Sequence, residues 1–316
     1  MKNSSVVSVI MPIYNHANFI RRAIDSVLMQ TYPYWELIIW DDGSTDNSEE
    51  IITSYQDNRI KYFKEENRGV SYARNRAIEH SIGDYIAFLD SDDEWLEEKL
   101  AVQVNVLDNH IQIDILFSDF YNINDSTNEK YRTFSHYSKI MKSLEVEQFN
   151  HGLFIIKNGI LESISRDNFI ATDTIIVRRE KLAEIGLFNE DLRNSVDFEL
   201  WWRMGLAGVR FSYYGKVLLI RHKLPGSLSS PGLTKYQNSL KCLDICKREA
   251  LLSNRCDLAV TLNHRYRNIW QNLISMHASR GEKEQMWNAF FRSLEFGINL
   301  GSIRLLIQGL YFLTRI

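Results

Sequence analysis

The chain has 316 residues, of which 45% are hydrophobic and 24% are charged, values that are ordinary for a globular protein. Its formal net charge is −3 and it has no long basic run, which argues against nucleic-acid binding. The first residues, MKNSSVVSVIMPIYN, are rich in β-branched residues and include Pro12, so they predict a strand and not a signal peptide. Because no uninterrupted apolar run approaches the roughly 20 residues of a membrane span, we expect a cytoplasmic protein.

The first third of the chain alternates predicted strands and helices. Helices are indicated where apolar residues recur at helical spacing, with a capping box at Asp46 and Glu49 and a helix start at Gly69. Such alternation predicts an α/β fold with a mainly parallel sheet flanked by helices. The predicted strands are VVSVIMPIY, WELIIW, IKYFK, DYIAFL and DILFSDF.

The rest of the chain divides into three stretches. Residues 120–170 are polar with weak periodicity and predict a loop-rich insertion. From residue 171, DTIIVRR and VRFSYYGKVLLIRH predict strands. FELWWRMGLA predicts a helix whose aromatic side chains pack in the core, although one of them could instead form a platform for an acceptor sugar. After a boundary near Pro231, residues 235–316 contain no proline and predict a helical C-terminal extension.

Acidic residues directly follow two of the predicted strands. Asp41 ends WELIIWD and precedes Asp42, while Asp90, Asp92 and Asp93 come after DYIAFL. Since ligands bind beyond the carboxyl ends of parallel strands, we expect these mutually repelling carboxylates to converge on one crevice. A divalent cation such as Mg²⁺ or Mn²⁺ relieves the repulsion, and magnesium-like sites commonly add substrate phosphates. The pattern therefore suggests a nucleotide diphosphate as the second ligand.

Some of these residues also have a purely structural interpretation. Asp93 is placed to cap the following helix, and the run DDGS at 41–44 is good turn chemistry in any protein. Arg74 lies on the core-facing stripe of its predicted helix, where a guanidinium needs a partner. That partner is either a strand-end acid or the diphosphate of a donor, and the sequence leaves both open.

Five segments, in order along the chain, closely resemble family 2 of the glycosyltransferases. They are SVIMPIYNHANFIRRAIDSVLMQTY, ELIIWDDGSTDNS, NRGVSYARNRAI, GDYIAFLDSDD and NSVDFELWWRM. The resemblance implies the GT-A fold, with a Rossmann-like sheet. It makes residues 1–119 the nucleotide-sugar-binding half, 120–234 the acceptor-binding half of the same domain, and 235–316 a helical extension.

The resemblance also implies which residues contact the donor nucleotide. Pro12, Tyr14 and Asn15, after the first strand, would line the nucleotide pocket. Asp42 resembles the acid that contacts the uracil or ribose, with Asp41 beside it.

Metal-binding and catalytic roles follow from the same resemblance. Asp90-Ser91-Asp92 resembles the family's Asp-X-Asp motif, in which Asp92 would bind the metal and Asp90 would contact the ribose or support the metal. Asp197 resembles the general base that takes the acceptor's proton. It also lies where a first-turn acid would stabilise the helix dipole, and Glu199 is the nearest alternative base.

Two later segments are less clear. RHKLPGSLS resembles the segment thought to close over the diphosphate, but Lys223 and Leu224 separate His222 from Pro225, which departs from the family's pattern. The final segment, GSIRLLIQGLYFLTRI, fits either a helix packed on the main domain or an interfacial helix at a membrane that holds a lipid-linked acceptor.

The sequence therefore predicts a metal-dependent inverting glycosyltransferase. It would move a sugar from a nucleotide-diphosphate donor, above all a UDP-sugar, to a glycan or lipid-linked acceptor in surface polysaccharide or glycan synthesis. Mn²⁺ or Mg²⁺ at Asp92, with help from Arg74, would stabilise the leaving diphosphate. The alternatives are a catalytically inactive sugar- or protein-binding scaffold and a nucleotidyltransferase. The segment MPIYNHANF contains neither Gly nor Lys, which counts against a nucleotidyltransferase.

Overall fold

The computed structural model describes residues 4–125, 127, 129–149, 152–223, 232–297 and 305. The strands are β1 Val7–Ile13, β2 Trp35–Asp41, β3 Ile60–Lys64, β4 Tyr85–Phe88, β5 Glu94–Trp95, β6 Ile115–Asn124, β7 Glu129–Arg132, β8 Glu145–Gln148, β9 Leu153–Asn158, β10 Ile176–Arg178 and β11 Phe211–Lys223. The helices are α1 Ile20–Leu28, α2 Ser48–Thr53, α3 Val70–Glu79, α4 Lys99–Asn109, α5 Thr133–His136, α6 Ser138–Met141, α7 Ile160–Arg166, α8 Arg179–Ile185, α9 Val196–Leu206, α10 Leu233–Leu252, α11 Cys256–Thr261, α12 Asn263–Ser279 and α13 Lys283–Leu294.

One mixed sheet forms the centre of the fold. Its strands follow the order β3-β2-β1-β4-β10-β6-β11-β9-β8, with β7 paired to β6 and β5 paired to β11. The predicted parallel arrangement is confirmed for β3, β2, β1 and β4, and β11 also runs parallel to β6. The remaining pairings are antiparallel, including both edges of β10. The start of β10 therefore lies at the edge where the parallel strands end.

Helices cover both faces of the sheet, which explains the continuous apolar runs of the first strands. Every residue of β1 and β2 is buried. Ile10 belongs to the hydrophobic cluster that includes Ala77 of α3, whereas its neighbour Val9 belongs to the cluster that includes Ile24 of α1. Because successive strand side chains point to opposite faces, each strand contributes to two cores.

The stretch 120–170 is more ordered than its sequence predicts. It contains the end of β6, then β7, α5, α6, β8, β9 and α7 within its described part. The prediction of a loop-rich insertion is therefore wrong. These elements are short, and the residues of an edge strand such as β8 are mostly exposed, so the elements show no clear apolar period in the sequence.

The capping box predicted at Asp46 and Glu49 is also wrong. Helix α2 begins at Ser48, and Asn47 at its N-cap position makes no side-chain capping bond. The Asp46 carboxylate instead accepts hydrogen bonds from the Ser48 hydroxyl, at 2.6 Å, and from the backbone N–H of Ala17, at 2.9 Å. Asp46 thus joins the loop after β1 to the loop after β2.

The described part of the C-terminal extension is helical, as predicted, from α10 to α13. It packs on the sheet domain through α9, where the Trp202 indole donates to the Cys246 carbonyl oxygen at 2.9 Å. No helix among the described residues is long and apolar enough to span a membrane. The boundary near Pro231 and the possible interfacial helix at 298–316 lie outside those residues.

The aromatic residues of α9 pack in the core, as predicted. Phe198 is 1% exposed, and Trp201 and Trp202 are both 0% exposed. These rings are therefore not available as a platform for a sugar.

Gly83 provides a test of the packing between the start of β1 and the loop before β4. A Cβ atom there would lie 2.6 Å from the Ser8 nitrogen and 2.7 Å from the Val6 carbonyl oxygen. Because backbone atoms cannot move aside cheaply, we expect Gly83→Ala to lower the free energy of unfolding by about 1–3 kcal/mol. Urea denaturation measures this. Gly215→Ala is the control, since its Cβ would make ordinary contacts at 3.5 and 3.6 Å, and equal losses in both variants would contradict the prediction.

Candidate active site

The acidic turn at residues 90–93 is held between two strand pairs. Before it, β4 pairs with β1, and the Leu89 N–H donates to the Ile10 carbonyl oxygen at 3.0 Å. After it, β5 pairs with β11 at Leu219 and Ile220. Acids therefore follow the apolar strand β4 directly because the chain turns at this point and crosses to β5, which pairs in another part of the sheet.

Asp90 is paired with a buried arginine. The Arg74 guanidinium, 4% exposed, donates to the Asp90 carboxylate at 2.6 Å. Burial opposes ionisation of Asp90, but the Arg74 charge outweighs it and holds the pKa of Asp90 below its usual value. The ion pair considered for Arg74 is thus present, while a contact to a diphosphate stays a prediction.

Asp93 has a different role from the predicted helix cap. Helix α4 begins only at Lys99, and Asp93 is 2% exposed. Its carboxylate accepts the backbone N–H of His222 at 2.8 Å, which ties the turn to the end of β11. Burial and the neighbouring Asp173 raise the pKa of Asp93 well above its usual value.

Asp173 is a member of the site that sequence reasoning missed. It lies in a short 3₁₀ turn, Thr172–Thr174, just before β10, and is 1% exposed. Ligand oxygens of Asp90, Asp93 and Asp173 all lie within 4.8 Å of one another. Burial and the charge of Asp90 raise the pKa of Asp173 to about 7. The available signal in the sequence was an acid directly before an apolar strand. Only the antiparallel direction of β10 brings that acid to the edge of the sheet where the parallel strands end.

A fully buried lysine stabilises the turn that carries Asp173. The Lys99 ammonium donates to the side chain of Gln103 and to the Thr174 carbonyl oxygen, the latter at 3.3 Å. It also lies 4.7 Å from the centre of the Trp95 ring, whose N–H donates to the Asp173 carbonyl oxygen at 3.2 Å. Burial lowers the pKa of Lys99 to about 7, and the charge of Asp173 limits the shift.

Asp92 differs from its acidic neighbours because its carboxylate remains available. Burial and the charge of Asp90 raise its pKa, and its side chain is only partly buried. Within the described ranges, no other residue donates a hydrogen bond to this carboxylate, whereas its carbonyl oxygen accepts from Arg22. A ligand that approaches the turn can therefore be bound by Asp92 without breaking an existing contact.

Asp41 and Asp42 are both buried and organise the loop after β2. Asp41 accepts the Ser44 N–H at 2.6 Å and the Tyr62 hydroxyl at 2.7 Å. Asp42 accepts the backbone N–H groups of Arg68 and Gly69 at 2.7 and 2.9 Å. The contacts agree with the turn interpretation, and the nucleotide roles stay predictions. Burial raises the pKa of Asp42 in spite of these bonds.

The loop after β1 meets the loops after β2 and β4. Pro12 is buried within β1, while Tyr14 is 48% exposed. Asn15, at a φ of 54°, donates its N–H to the Ser44 hydroxyl at 2.9 Å and accepts the Thr45 N–H at 2.8 Å. His16 is hydrogen-bonded to the Ser91 hydroxyl at 2.7 Å. Three strand ends of the parallel part therefore share one edge.

Asp197 lies in the first turn of α9, and its carboxylate accepts a hydrogen bond from the Asn168 side chain at 2.9 Å. Ser195 occupies the N-cap position, but no side-chain capping bond forms. Glu199 is 1% exposed and pairs with Arg203 at 2.6 Å. Glu199 is thus committed to a structural ion pair with Arg203.

Arg221 links the acidic turn to α9 electrostatically. Although burial opposes it, the charges of the surrounding carboxylates raise the pKa of Arg221 above its usual value. Those carboxylates are, in order of effect, Asp173, Asp93, Asp90 and Asp197. Asp197 and the acidic turn therefore both interact electrostatically with Arg221, although they are far apart in the sequence.

His222 follows Arg221 and has acids at both ring nitrogens. Its Nδ1 lies 2.7 Å from Asp125, and its Nε2 lies 3.1 Å from Glu94. The side chain is 8% exposed, so these contacts fix it. The residues from Leu224 to Pro231, which the family's diphosphate segment would include, lie outside the described residues.

The donor set at this edge suits a hard divalent cation. Carboxylate oxygens are the ligands that Mg²⁺ and Mn²⁺ prefer, and two arrangements of them occur. One is the buried group of Asp90, Asp93 and Asp173, where two of the acids favour the protonated state. The other is the accessible carboxylate of Asp92 beside Asp90.

Comparison with known proteins gives a consistent family. Residues 8–182 match the model of "Glycosyl transferase family 2". The chain is 32% identical over 214 residues to the putative teichuronic acid biosynthesis glycosyltransferase TuaG of Bacillus subtilis, covering 66% of this chain and 75% of TuaG. It is 28–31% identical to uncharacterized glycosyltransferases of Rickettsia species, but spans only 32–64% of their length.

Two solved structures share the fold. S. aureus TarS 1–349 in complex with UDP-GlcNAc aligns with a TM-score of 0.67 and 21% identity, over 98% of this chain and 88% of that one. The mannosyltransferase PcManGT of Pyrobaculum calidifontis, in complex with GDP-Man and Mn²⁺, aligns with a TM-score of 0.59 and 17% identity, over 98% and 81%. At these identities the likeness concerns the fold, which is that of GT-A glycosyltransferases.

Asp173→Asn tests the protonation of the buried acids. The pKa of Asp173 rises from 3.8 in the unfolded chain to about 7 in the folded one, so its stabilising contribution is complete below pH 4 and is lost as pH rises through 7. Asparagine cannot ionise, so the variant does not lose this contribution to stability as pH rises. We therefore expect the melting temperature of the variant, relative to wild type in chelator, to increase steadily from pH 4 to 8. A difference that does not change with pH would contradict the assignment.

Proposed function

The chain belongs to glycosyl transferase family 2, and from that premise we propose a metal-dependent inverting glycosyltransferase that moves a sugar from a UDP-sugar to an acceptor hydroxyl. The observation that carries the proposal is that the carboxylates of the acidic turn and Asp197 all interact electrostatically with Arg221. A donor diphosphate bound at the turn would thereby lie near a carboxylate that can accept a proton.

Asp92 is the proposed principal ligand of the cation. Within the described residues no other side chain or backbone group donates to its carboxylate, while Asp90 is paired with Arg74 and Asp93 is buried with a raised pKa. A bound Mn²⁺ or Mg²⁺ would supply positive charge to the donor diphosphate. Asp90 then supports Asp92 or contacts the ribose, since its ion pair fixes its position.

Asp197 is the proposed general base. It removes the proton from the acceptor hydroxyl, whose oxygen attacks the anomeric carbon while the bond from that carbon to the diphosphate oxygen breaks. The sugar ends on the acceptor oxygen, the nucleoside diphosphate leaves with the bonding electrons, and Asp197 holds the proton. Because attack and departure occur on opposite sides, the anomeric configuration inverts. Asn168 orients the carboxylate through its hydrogen bond of 2.9 Å.

The donor nucleotide is proposed from the surroundings of the first two loops. Tyr14 is exposed beside Asn15. Asp42 lies close to this loop, since its backbone N–H donates to the Ile13 carbonyl oxygen at 2.8 Å, so a base and ribose would have an aromatic face and polar groups within one crevice. The TarS complex with UDP-GlcNAc supports a UDP-sugar, and the PcManGT complex with Mn²⁺ supports a cation. The name of TuaG supports a polysaccharide or glycan product, whether the acceptor is free or lipid-linked. A peripheral membrane contact stays a prediction.

A screen of nucleotide sugars tests the proposal as a whole. Purified protein is incubated with UDP-, GDP- and dTDP-sugars in Mn²⁺, and release of the nucleoside diphosphate is followed. We expect slow hydrolysis of a UDP-sugar that stops in excess chelator. Absence of hydrolysis and of UDP binding would leave the inactive scaffold as the better account, and release of pyrophosphate from a nucleoside triphosphate and a sugar phosphate would indicate a nucleotidyltransferase.

Asp92→Asn and Asp93→Asn form a matched pair that locates the cation. Loss of the accessible carboxylate should weaken UDP binding in Mn²⁺ by roughly 10–100-fold, the scale of disturbed metal sites. Asp93 is buried and its carboxylate is engaged by the His222 N–H, and its raised pKa disfavours the charged form, so its asparagine variant should bind UDP and Mn²⁺ almost normally. Isothermal titration calorimetry measures both. The reverse ranking would assign the cation to the buried group of Asp90, Asp93 and Asp173.

Asp197→Asn tests the base. The variant keeps the shape of the side chain but cannot accept a proton, so turnover should fall by roughly 10²- to 10⁴-fold while UDP affinity stays unchanged. Glu284→Gln is the control, because it removes an exposed first-turn acid from α13. It costs only the helix-dipole energy of about 0.3–1 kcal/mol. Near-normal turnover in Asp197→Asn would remove this residue from the mechanism.

A further inference from the structure

An open cavity of about 660 Å³ lies beside β6, β9 and β11, separate from the acidic turn. A break in β11 shapes it: the pairing of β11 with β6 shifts register between Tyr214 and Val217 and again between Val217 and Ile220. Bulges of this kind redirect side chains and are common next to functional sites. The cavity is thus a consequence of how β11 is built.

Two glycines keep the cavity open. A Cβ atom on Gly152 would meet no atom within 4 Å among the described residues. A Cβ atom on Gly215 would lie 3.5 Å from the Phe154 ring and 3.6 Å from the Gly152 carbonyl oxygen. Gly215 does not have a positive φ, so its backbone does not require glycine. The space at Gly215 can therefore be filled by mutation without backbone strain.

Aromatic rings line the cavity and are held in place. Tyr121, Phe154 and Tyr214 all contribute to its wall. The Phe154 ring stacks on Tyr213 at 4.6 Å, and the Lys130 ammonium lies 3.9 Å from the centre of the Tyr121 ring. Rigid aromatic walls with few polar groups are typical of small-molecule sites. They suit the flat C–H face of a pyranose ring.

The charges of the cavity are balanced. Arg132 pairs with the fully buried Asp119 at 2.7 Å and donates to the Gly215 carbonyl oxygen at 3.0 Å, and Lys216 pairs with Glu98. Arg132 remains 44% exposed, so its guanidinium reaches the cavity as a fixed hydrogen-bond donor. A balanced lining favours a neutral ligand with hydroxyl groups over a phosphate or a carboxylate.

The cavity is connected to the candidate active site through β11 and through a row of rings. Leu219 and Ile220 of β11 pair with β5, directly after the acidic turn. Phe169, next to the Asn168 that bonds Asp197, contacts Phe117, which contacts Tyr213. Phe154 of the cavity wall packs against the hydrophobic cluster that contains α9, whereas Tyr214 packs against the cluster on the other face of the sheet.

We propose that this cavity is a subsite for a neutral sugar ring of the acceptor, remote from the hydroxyl that is attacked. The proposal rests on the proposed function, since it supplies the acceptor side of that reaction. The ring stacks on the aromatic wall, and Arg132 donates to its hydroxyls. An acceptor with more than one sugar ring would thus be favoured over a monosaccharide.

Saturation-transfer NMR tests the subsite with methyl glycosides of glucose, galactose and N-acetylglucosamine, with methyl glucuronide as the anionic comparator. Each is added to wild-type protein with UDP and Mn²⁺. We expect a neutral glycoside to give a signal that falls at least about fivefold in Gly215→Leu, equivalent to about 1 kcal/mol, and stays within about twofold in Gly215→Ala. If Gly215→Leu has a lower melting temperature than wild type, Tyr121→Ala is used in its place.

Donor-side measurements separate this proposal from the proposed function. UDP affinity and acceptor-independent UDP-sugar hydrolysis should be the same in wild type and Gly215→Leu. If donor binding is normal but no neutral glycoside gives a signal, the subsite alone is overturned. The same holds if a neutral glycoside gives a signal that Gly215→Leu leaves unchanged. A stronger signal from the glucuronide would overturn its neutral character. Loss of donor binding in wild type would overturn the proposed function instead.

Discussion

Repulsion among carboxylates at one edge of the sheet is the constraint on which the site depends. Asp90, Asp93 and Asp173 have ligand oxygens within 4.8 Å of one another, and three unscreened negative charges at that distance would destabilise the fold. The protein offsets the repulsion in two ways: arginine charges lie beside the acids, and burial raises the pKa of Asp93 and Asp173. The result is a rigid polar layer beneath Asp92, which is left to interact with ligands.

The same layer explains why a lysine is fully buried behind the site. Burial lowers the pKa of Lys99 to about 7, and its side chain provides hydrogen bonds for the turn that carries Asp173. Trp95 supports the same turn from β5. Positioning of the acids thus rests on neutral contacts as much as on ionic ones, which agrees with the high cost of burying charges without partners.

Much of the fold was predictable because the first strands are apolar throughout and the acids that follow them mark their ends. Arg74 was recognised from the helical period alone, as a charge in a core-facing position. The sequence could not reveal strand direction. Asp173 lies just before β10, and it becomes a neighbour of Asp90 only because β10 pairs antiparallel with β4. The elements between 120 and 170 escaped detection for another reason, since short edge strands have exposed residues on both faces and no clear period.

Strand β10 has only three residues, yet it is the sole strand between β4 and β6 in the described sheet. Ile176 belongs to one hydrophobic cluster and Val177 to the other, so this strand closes both cores at once. Because β10 comes from the second half of the chain, the first half alone would expose the edge of β4 and both open cores. The two halves should consequently unfold in one cooperative transition, and residues 1–119 should not behave as an autonomous folding unit.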